Sequence, residues 1–369
     1  MQGFAPYLLN HIKQIAGEST PQYKMEVPGF LNLLLSQSKP KEVRLNSENG
    51  HKKTVRVKAK QRATKDMTDT SKSCDSTLVP IWQEQELALD VVRQIAFHIE
   101  DETIAQYMED ASRTVNVGQP ATQIMNEFYE NILTHTSALM EGINDDLLTL
   151  AAAQVGVNRA TGSNAAQTIN INKDGAINPL TDGFTKILTD YKLNGGKGRP
   201  QIVGAGLMLA SEMQKGEIST NQAGLDTSKL NMWDFYYDQD VETSLGANQI
   251  LAYEPNAVQL VEYMEYTGFK AGEKPGASTF GVITLPVVVN GEIKPVNFDF
   301  QLKYNDCETT MTDAYYGTSL TLGKGYNLIL SKQCGLFTLS SASYRGTDVL
   351  AGNRGSYRFE LSNDCETCS

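Results

Sequence analysis

Cysteine carries the most suggestive spacing in this chain. Cys365 and Cys368 form a Cys-x-x-Cys, and the pentapeptide Asn-Asp-Cys-Glu-Thr at 305–309 recurs at 363–367, bringing in Cys307. One Cys-x-x-Cys gives a tetrahedral zinc two thiolates, so two more must come from elsewhere, here Cys307 and Cys334. The spacing matches no zinc-ribbon pattern. A four-thiolate metal site, a disulfide and plain thiols therefore all stay open. Cys74 lies apart, in a polar segment. Five cysteines in 369 residues do not make a disulfide scaffold, so a reduced, intracellular protein is expected.

Other chemistry finds no support. The chain has four histidines, His11, His51, His98 and His135, and no Gly-x-Ser-x-Gly elbow. His98 and His135 fall in apolar helical patterns and read as structural. Gly195-Gly196-Lys197-Gly198-Arg199 is glycine-rich but lacks the Gly-Lys-Ser/Thr ending of a phosphate loop. Gly204-Ala205-Gly206 has Leu209 where a dinucleotide fingerprint needs its third glycine. The first stretch reads as a flexible surface turn. Residues 233–240, Trp-Asp-Phe-Tyr-Tyr-Asp-Gln-Asp, fit no calcium-loop template and read as packing aromatics with solvated acids. No catalytic or cofactor-binding residue is assigned, no cofactor is expected, and the chain is not expected to be an enzyme.

Charge is more telling. Residues 39–65 hold ten Lys/Arg against Glu42 and Glu48, a local +8 that leaves −19 on the rest of a chain of net −11. An acidic body does not suit a protein that grips phosphates. A basic arm beside an acidic body suits attraction between copies. No apolar run is long enough for a membrane span. Asn10, His11 and Lys13 interrupt the start, so no signal peptide is expected.

The elements that must position these charges follow from periodicity. Residues 1–38 read as an arm of short apolar clusters broken by Pro6, Gly17, Pro21, Pro28 and Gly29. Residues 41–62 read as a β-hairpin. Val43 and Leu45 alternate with charges, Val55, Val57 and Ala59 alternate with Arg56, Lys58, Lys60 and Arg62, and Asn49-Gly50 supplies the turn. Leu87, Val91, Ile95 and Ile99 recur every four residues, which predicts an acidic helix over 83–113 carrying Glu84, Glu86 and Asp90. Residues 120–155 predict a long helix opened by Pro120, with Ile124, Phe128, Ile132, Leu139, Ile143, Leu147 and Leu150 on one face. A helix–strand–helix over 179–215 follows. A strictly alternating hairpin over 280–304 turns at Asn290-Gly291, and short strands are expected near 326–331, 335–341 and 356–361.

This series of arm, charged hairpin, long helix, α/β segment and returning β-hairpin resembles the major capsid proteins of tailed bacteriophages, which have the Hong Kong 97-type fold. Residues 124–158, ending Leu-Ala-Ala-Ala-Gln-Val-Gly-Val-Asn, are similar to that family's spine helix and its exit. Residues 183–189, 201–203 and 207–213 are similar to its axial helix–strand–helix. The resemblance implies an α+β fold: an arm (1–38), an extended basic hairpin loop (39–78), a peripheral domain (79–160 and 280–369) and an axial domain (161–279). It implies a major capsid protein that forms hexamers and pentamers in an icosahedral shell around double-stranded DNA. Expected partners are other copies, portal, scaffolding and decoration or auxiliary capsid proteins, and DNA held without sequence-specific contacts; no membrane is involved. The location would be the virion, after assembly in the host cytoplasm.

Encapsulin-type nanocompartment shells share the fold. A phage tail or receptor-binding structural protein is the other alternative. Within the capsid reading, Lys52, Lys53, Arg56, Lys58, Lys60 and Arg62 are expected to contact an adjacent subunit, at acids such as Glu84, Glu86 and Asp90 or at the acids of the long helix. Cys74 would lie within reach of such a neighbour, and Gly195 to Arg199 would lie near a symmetry axis.

Overall fold

The computed structural model describes residues 24–49, 52–60, 62–63, 82–103, 105–106, 109, 122–158, 162–170, 172–173, 176–177, 184–210, 213, 233–265, 278–305, 309–312, 319–342 and 355–362. The fold is α+β, mostly strands with few helices. The chain divides into two units, one of residues 1–27, 92–143 and 262–333, the other of residues 28–91, 144–261 and 334–369. In chain order the first elements are β1 (Met25–Glu26), α1 (Gly29–Ser36), β2 (Glu42–Asn49), β3 (Lys52–Lys60), β4 (Arg62–Ala63), β5 (Trp82–Ala88) and β6 (Val91–Glu100). Then come α2 (Thr122–Ala153), β7 (Gln167–Asn170), β8 (Asn172–Lys173), β9 (Ala176–Ile177), α3 (Phe184–Leu193), β10 (Gln201–Gly204), β11 (Asp234–Tyr237) and α4 (Asp240–Leu245). The remainder is β12 (Gln249–Tyr253), β13 (Val258–Tyr263), β14 (Ser278–Val289), β15 (Glu292–Asn305), β16 (Thr309–Thr312), β17 (Ser319–Leu322), β18 (Gly325–Thr338), β19 (Ser341–Ala342) and β20 (Ser356–Ser362).

The first unit is built on the β14–β15 hairpin. Asn290 (φ 52°) and Gly291 (φ 79°) both take positive φ, the geometry a two-residue hairpin turn requires and the reason for Asn-Gly there. Alternation buries Ile283, Leu285, Val287 and Val289 on one face of β14, with Ile283 opposite the buried Phe298 and Leu285 opposite the buried Val296. At Gly281 the lack of a side chain admits the Phe300 ring, which a Cβ would meet at 2.6 Å. β15 also pairs with β18, and β1 runs parallel to β14. β18 is one continuous strand where the sequence predicts two, because the intervening Lys332 and Gln333 stay in the ladder, buried despite their polarity.

The helix predicted over 83–113 is replaced by strands up to residue 100: this stretch forms β5 and β6, while beyond it the described residues 101–103, 105–106 and 109 are helical. The physical reason is that a spacing of four is also a multiple of two. Leu87, Val91 and Ile99 are buried on strands as they would be on a helix, and the β-branched content of 91–99 favours extended backbone. His98 therefore lies on a strand, where its Nδ1 donates to Asn327 Oδ1 at 2.8 Å.

α2 runs 32 residues, about 48 Å at 1.5 Å per residue. It buries Ile132, Leu139, Ile143 and Leu147 as expected, together with Tyr129, Met140, Leu148 and Ala151. His135 bonds back to the Asn131 carbonyl and rests on the Phe97 ring, a structural role.

The second unit holds a five-stranded sheet in the order β11-β10-β12-β20-β7. Ile202 of β10, Ile250 and Ala252 of β12, and Tyr357, Phe359 and Leu361 of β20 form a core with Ile187 and Tyr191 of α3 and with Trp233. α1, all apolar at Phe30, Leu31, Leu33 and Leu34, is buried in the same unit.

Candidate assembly interface

The basic hairpin is the feature to build upward. β2 and β3 pair antiparallel, and β5 adds a third strand on the far side of β3. Asn49 ends β2 opposite Lys52, and residues 50–51 of the turn lie outside the described residues. Register divides the sheet cleanly. Val55, Val57, Ala59 and Leu87 face inward and are buried. The opposite face carries the charges in rows across three strands: Glu42, Lys58 and Glu84, then Arg44, Arg56 and Glu86, then Lys60 beside Trp82. A one-residue slip would bury this whole charged set, so the apolar alternation fixes the register.

One of the acids expected from a neighbouring subunit, Glu84, is paired within the same chain. Lys58 Nζ lies 2.9 Å from Glu84 Oε1. That hydrogen bond and charge, with Arg56 and Arg44 nearby, hold the Glu84 carboxyl below the usual carboxylate range. Arg44 pairs with Glu42. Lys41 sits 4.3 Å from the centre of the Trp82 ring, and Lys58 contributes a longer cation–π contact at 5.8 Å. Arg56 and Lys60 remain exposed. Asp90 is exposed beyond the end of β5. Lys52 and Lys53 belong to β3, Arg62 to β4.

The base of the hairpin sheet is anchored on both flanks. Arg62 and Ala63 pair in parallel with Ser341 and Ala342. On the entering side, the Gln37 carboxamide donates to Gln201 Oε1 at 2.8 Å and accepts from the Asn256 amide at 2.6 Å.

Two buried polar nodes went unread in the sequence. Asp238 was expected to be a solvated acid, yet it is only 2% exposed. Its Oδ2 accepts from the Phe30 amide at 2.8 Å and from Asn144 Nδ2 at 3.0 Å, and its Oδ1 from the Asp240 amide at 3.0 Å. Asn144 Oδ1 in turn accepts from the Leu31 amide at 3.1 Å. The opening N–H groups of α1 are thereby capped from far along the chain. Burial pushes the Asp238 carboxyl up, against the pull of its donors. The second node is Lys332, fully buried, whose Nζ meets Glu262 Oε1 at 2.5 Å and the Asn297 carbonyl at 3.0 Å. Sequence offers only a faint signal for either: Asp238 directly follows Phe235, Tyr236 and Tyr237, and Lys332 comes shortly after Leu328, Ile329 and Leu330.

The 195–199 turn has Gly195 and Gly198 at positive φ. The Tyr191 hydroxyl donates to the Lys197 carbonyl, Lys192 Nζ donates to the Gly198 carbonyl, and Arg199 pairs with Asp234. Cys334 is buried in β18, while Cys74, Cys307, Cys365 and Cys368 lie outside the described residues. Among the described residues no cluster of three or more His, Cys, Asp or Glu forms a metal site, and no helix is long and apolar enough to cross a membrane.

No family model matches this chain, and no curated protein matches it. Solved structures do. One from Mycobacterium phage Cain is 11% identical, covers 96% of this chain and 97% of its own, and has a TM-score of 0.44. One from Mycobacterium phage Adephagia is 14% identical over 89% and 92%, with a TM-score of 0.41. The capsid structure of the Cyanophage P-SCSP1u is 10% identical over 95% and 92%, with a TM-score of 0.42. Phage capsid structures are thus among those this chain is similar to. Likeness at that level does not carry activity or partners across.

Proposed function

We propose that the chain is a shell subunit of the tailed-phage capsid class, with the Hong Kong 97-type arrangement its sequence resembles. The observation that supports this most is the three-stranded basic sheet. On its inner face Val55, Val57, Ala59 and Leu87 are buried, and on the opposite face Arg56 and Lys60 are exposed to another surface. Counting Glu84 and Glu86 with it lowers the local charge of the 39–65 segment from +8 only to +6, and leaves −17 elsewhere. A surplus of that size cannot be satisfied within the hairpin and favours an acidic surface on an adjacent copy. Each exposed pair contributes only about 0–1 kcal/mol, which repetition around a closed lattice multiplies.

In this reading subunits form hexamers and pentamers, close an icosahedral shell around double-stranded DNA and do no chemistry. Electron microscopy of the purified full chain tests it. Closed shells or hexameric capsomers are expected. A monomer at every concentration and salt would sink the proposal. The double variant Arg56→Glu/Lys60→Glu is expected to stay folded and lose assembly; unchanged assembly would remove the hairpin from the interface while leaving the shell reading in place.

A further inference from the structure

The geometry points to Gln83 as the residue that sets the position of the basic hairpin, acting through a hydrogen-bonded relay that ends at Gln154, in the turn just after α2. This goes beyond the shell reading and is tested without it. Gln83 lies on β5 opposite Ala59, on the inward face of the sheet. Its Oε1 accepts from the Ser340 amide at 2.8 Å and from the Ser340 hydroxyl at 3.0 Å. Its Nε2 is 3.4 Å from the Thr338 carbonyl. The Thr338 hydroxyl donates to Gln154 Oε1 at 2.6 Å, and Gln154 Nε2 returns to the Leu336 carbonyl at 3.4 Å. The Gln154 carbonyl, in the turn that closes α2, accepts from the Ser356 hydroxyl of β20 at 3.3 Å.

Residues 338–342 thus form a seat. Gln83 grips it from one side of the hairpin sheet, and β4 pairs with it through β19. The seat is itself fixed by the Leu339 amide donating to the Ala257 carbonyl at 2.8 Å. Carboxamides suit this task. Each has a donor and an acceptor at one end of a long side chain, so it can tie a strand to a neighbouring backbone in two directions. A carboxylate would offer only acceptors.

The test is amide hydrogen exchange by mass spectrometry on the full chain, comparing Gln83→Met, Thr338→Val and Gln154→Met with the parent in the same assembly state. A purely local role for Gln83 predicts that only Gln83→Met affects the hairpin. The relay predicts that Gln154→Met, which touches nothing on the hairpin, also speeds exchange in β3 and β5, by about tenfold, with β10 unchanged. Thr338→Val should do the same and provides the measurement if Gln154→Met does not fold. Hairpin exchange within twofold of the parent in both relay variants would overturn the proposal. The outcome leaves the shell reading untouched, because no assembly is measured.

Discussion

Lys58 and Glu84 stand opposite each other on adjacent strands and close a 2.9 Å ion pair within one chain. That pairing alters what the hairpin can offer a partner. Lys58 is engaged within its own chain, while Arg56 and Lys60 on the same face are exposed.

Because Lys58 is the largest cause of the lowered Glu84 pKa, the value should respond to it. An NMR titration of the Glu84 carboxyl should place it below 4.5, and Lys58→Met or high salt should raise it back toward that value. Its contribution to stability is present above the unfolded value and lost as pH falls through the folded one. A carboxyl indifferent to Lys58→Met would mean the pair is not formed in solution.

Asp238→Ala would strand the Phe30, Asn144 and Asp240 donors in a buried site. The expected loss is about 2–4 kcal/mol, read from urea unfolding. The pH dependence has the opposite sign to that of Glu84. The folded carboxyl holds its proton more tightly than the unfolded one. Its contribution to stability therefore falls as pH rises from 3.8 through the raised value, and is flat above it.

Removing one partner of the Lys332–Glu262 pair should cost more than removing both. Glu262→Gln leaves a fully buried ammonium short of a counter-charge and is expected to lose about 3–5 kcal/mol. Lys332→Met with Glu262→Leu should recover most of it in a double-mutant cycle by denaturant unfolding. Additive losses would contradict direct pairing.

Two glycine substitutions should separate steric from conformational cost. A Cβ on Gly325 would lie 2.1 Å from the Ile99 carbonyl oxygen and 2.9 Å from His98 Nε2. Gly325→Ala is therefore expected to lower thermal stability by roughly 2 kcal/mol or more, through backbone displacement. At Gly291 a Cβ meets nothing, but φ is 79°, so Gly291→Ala should cost only about 1 kcal/mol. Equal losses would argue against the close packing of β6 on β18.

Sequence alone determined the elements whose signals are local. The alternation at 278–305 with Asn290-Gly291 specifies a hairpin and its turn, because period two and positive φ have few other solutions. The apolar stripe of 122–153 specifies a long helix for the same kind of reason. Val55, Val57 and Ala59 against Arg56, Lys58 and Lys60 specify which face of the basic hairpin is buried. What only the tertiary structure decided is which strands meet. A spacing of four at Leu87, Val91 and Ile99 satisfies a helix and a strand alike, and long-range pairing with β3 and β18 settles the choice. That pairing set Glu84 beside Lys58, Asp238 beneath the start of α1 and Gln83 against Ser340. Each contact joins residues distant in sequence, so no periodicity could announce it.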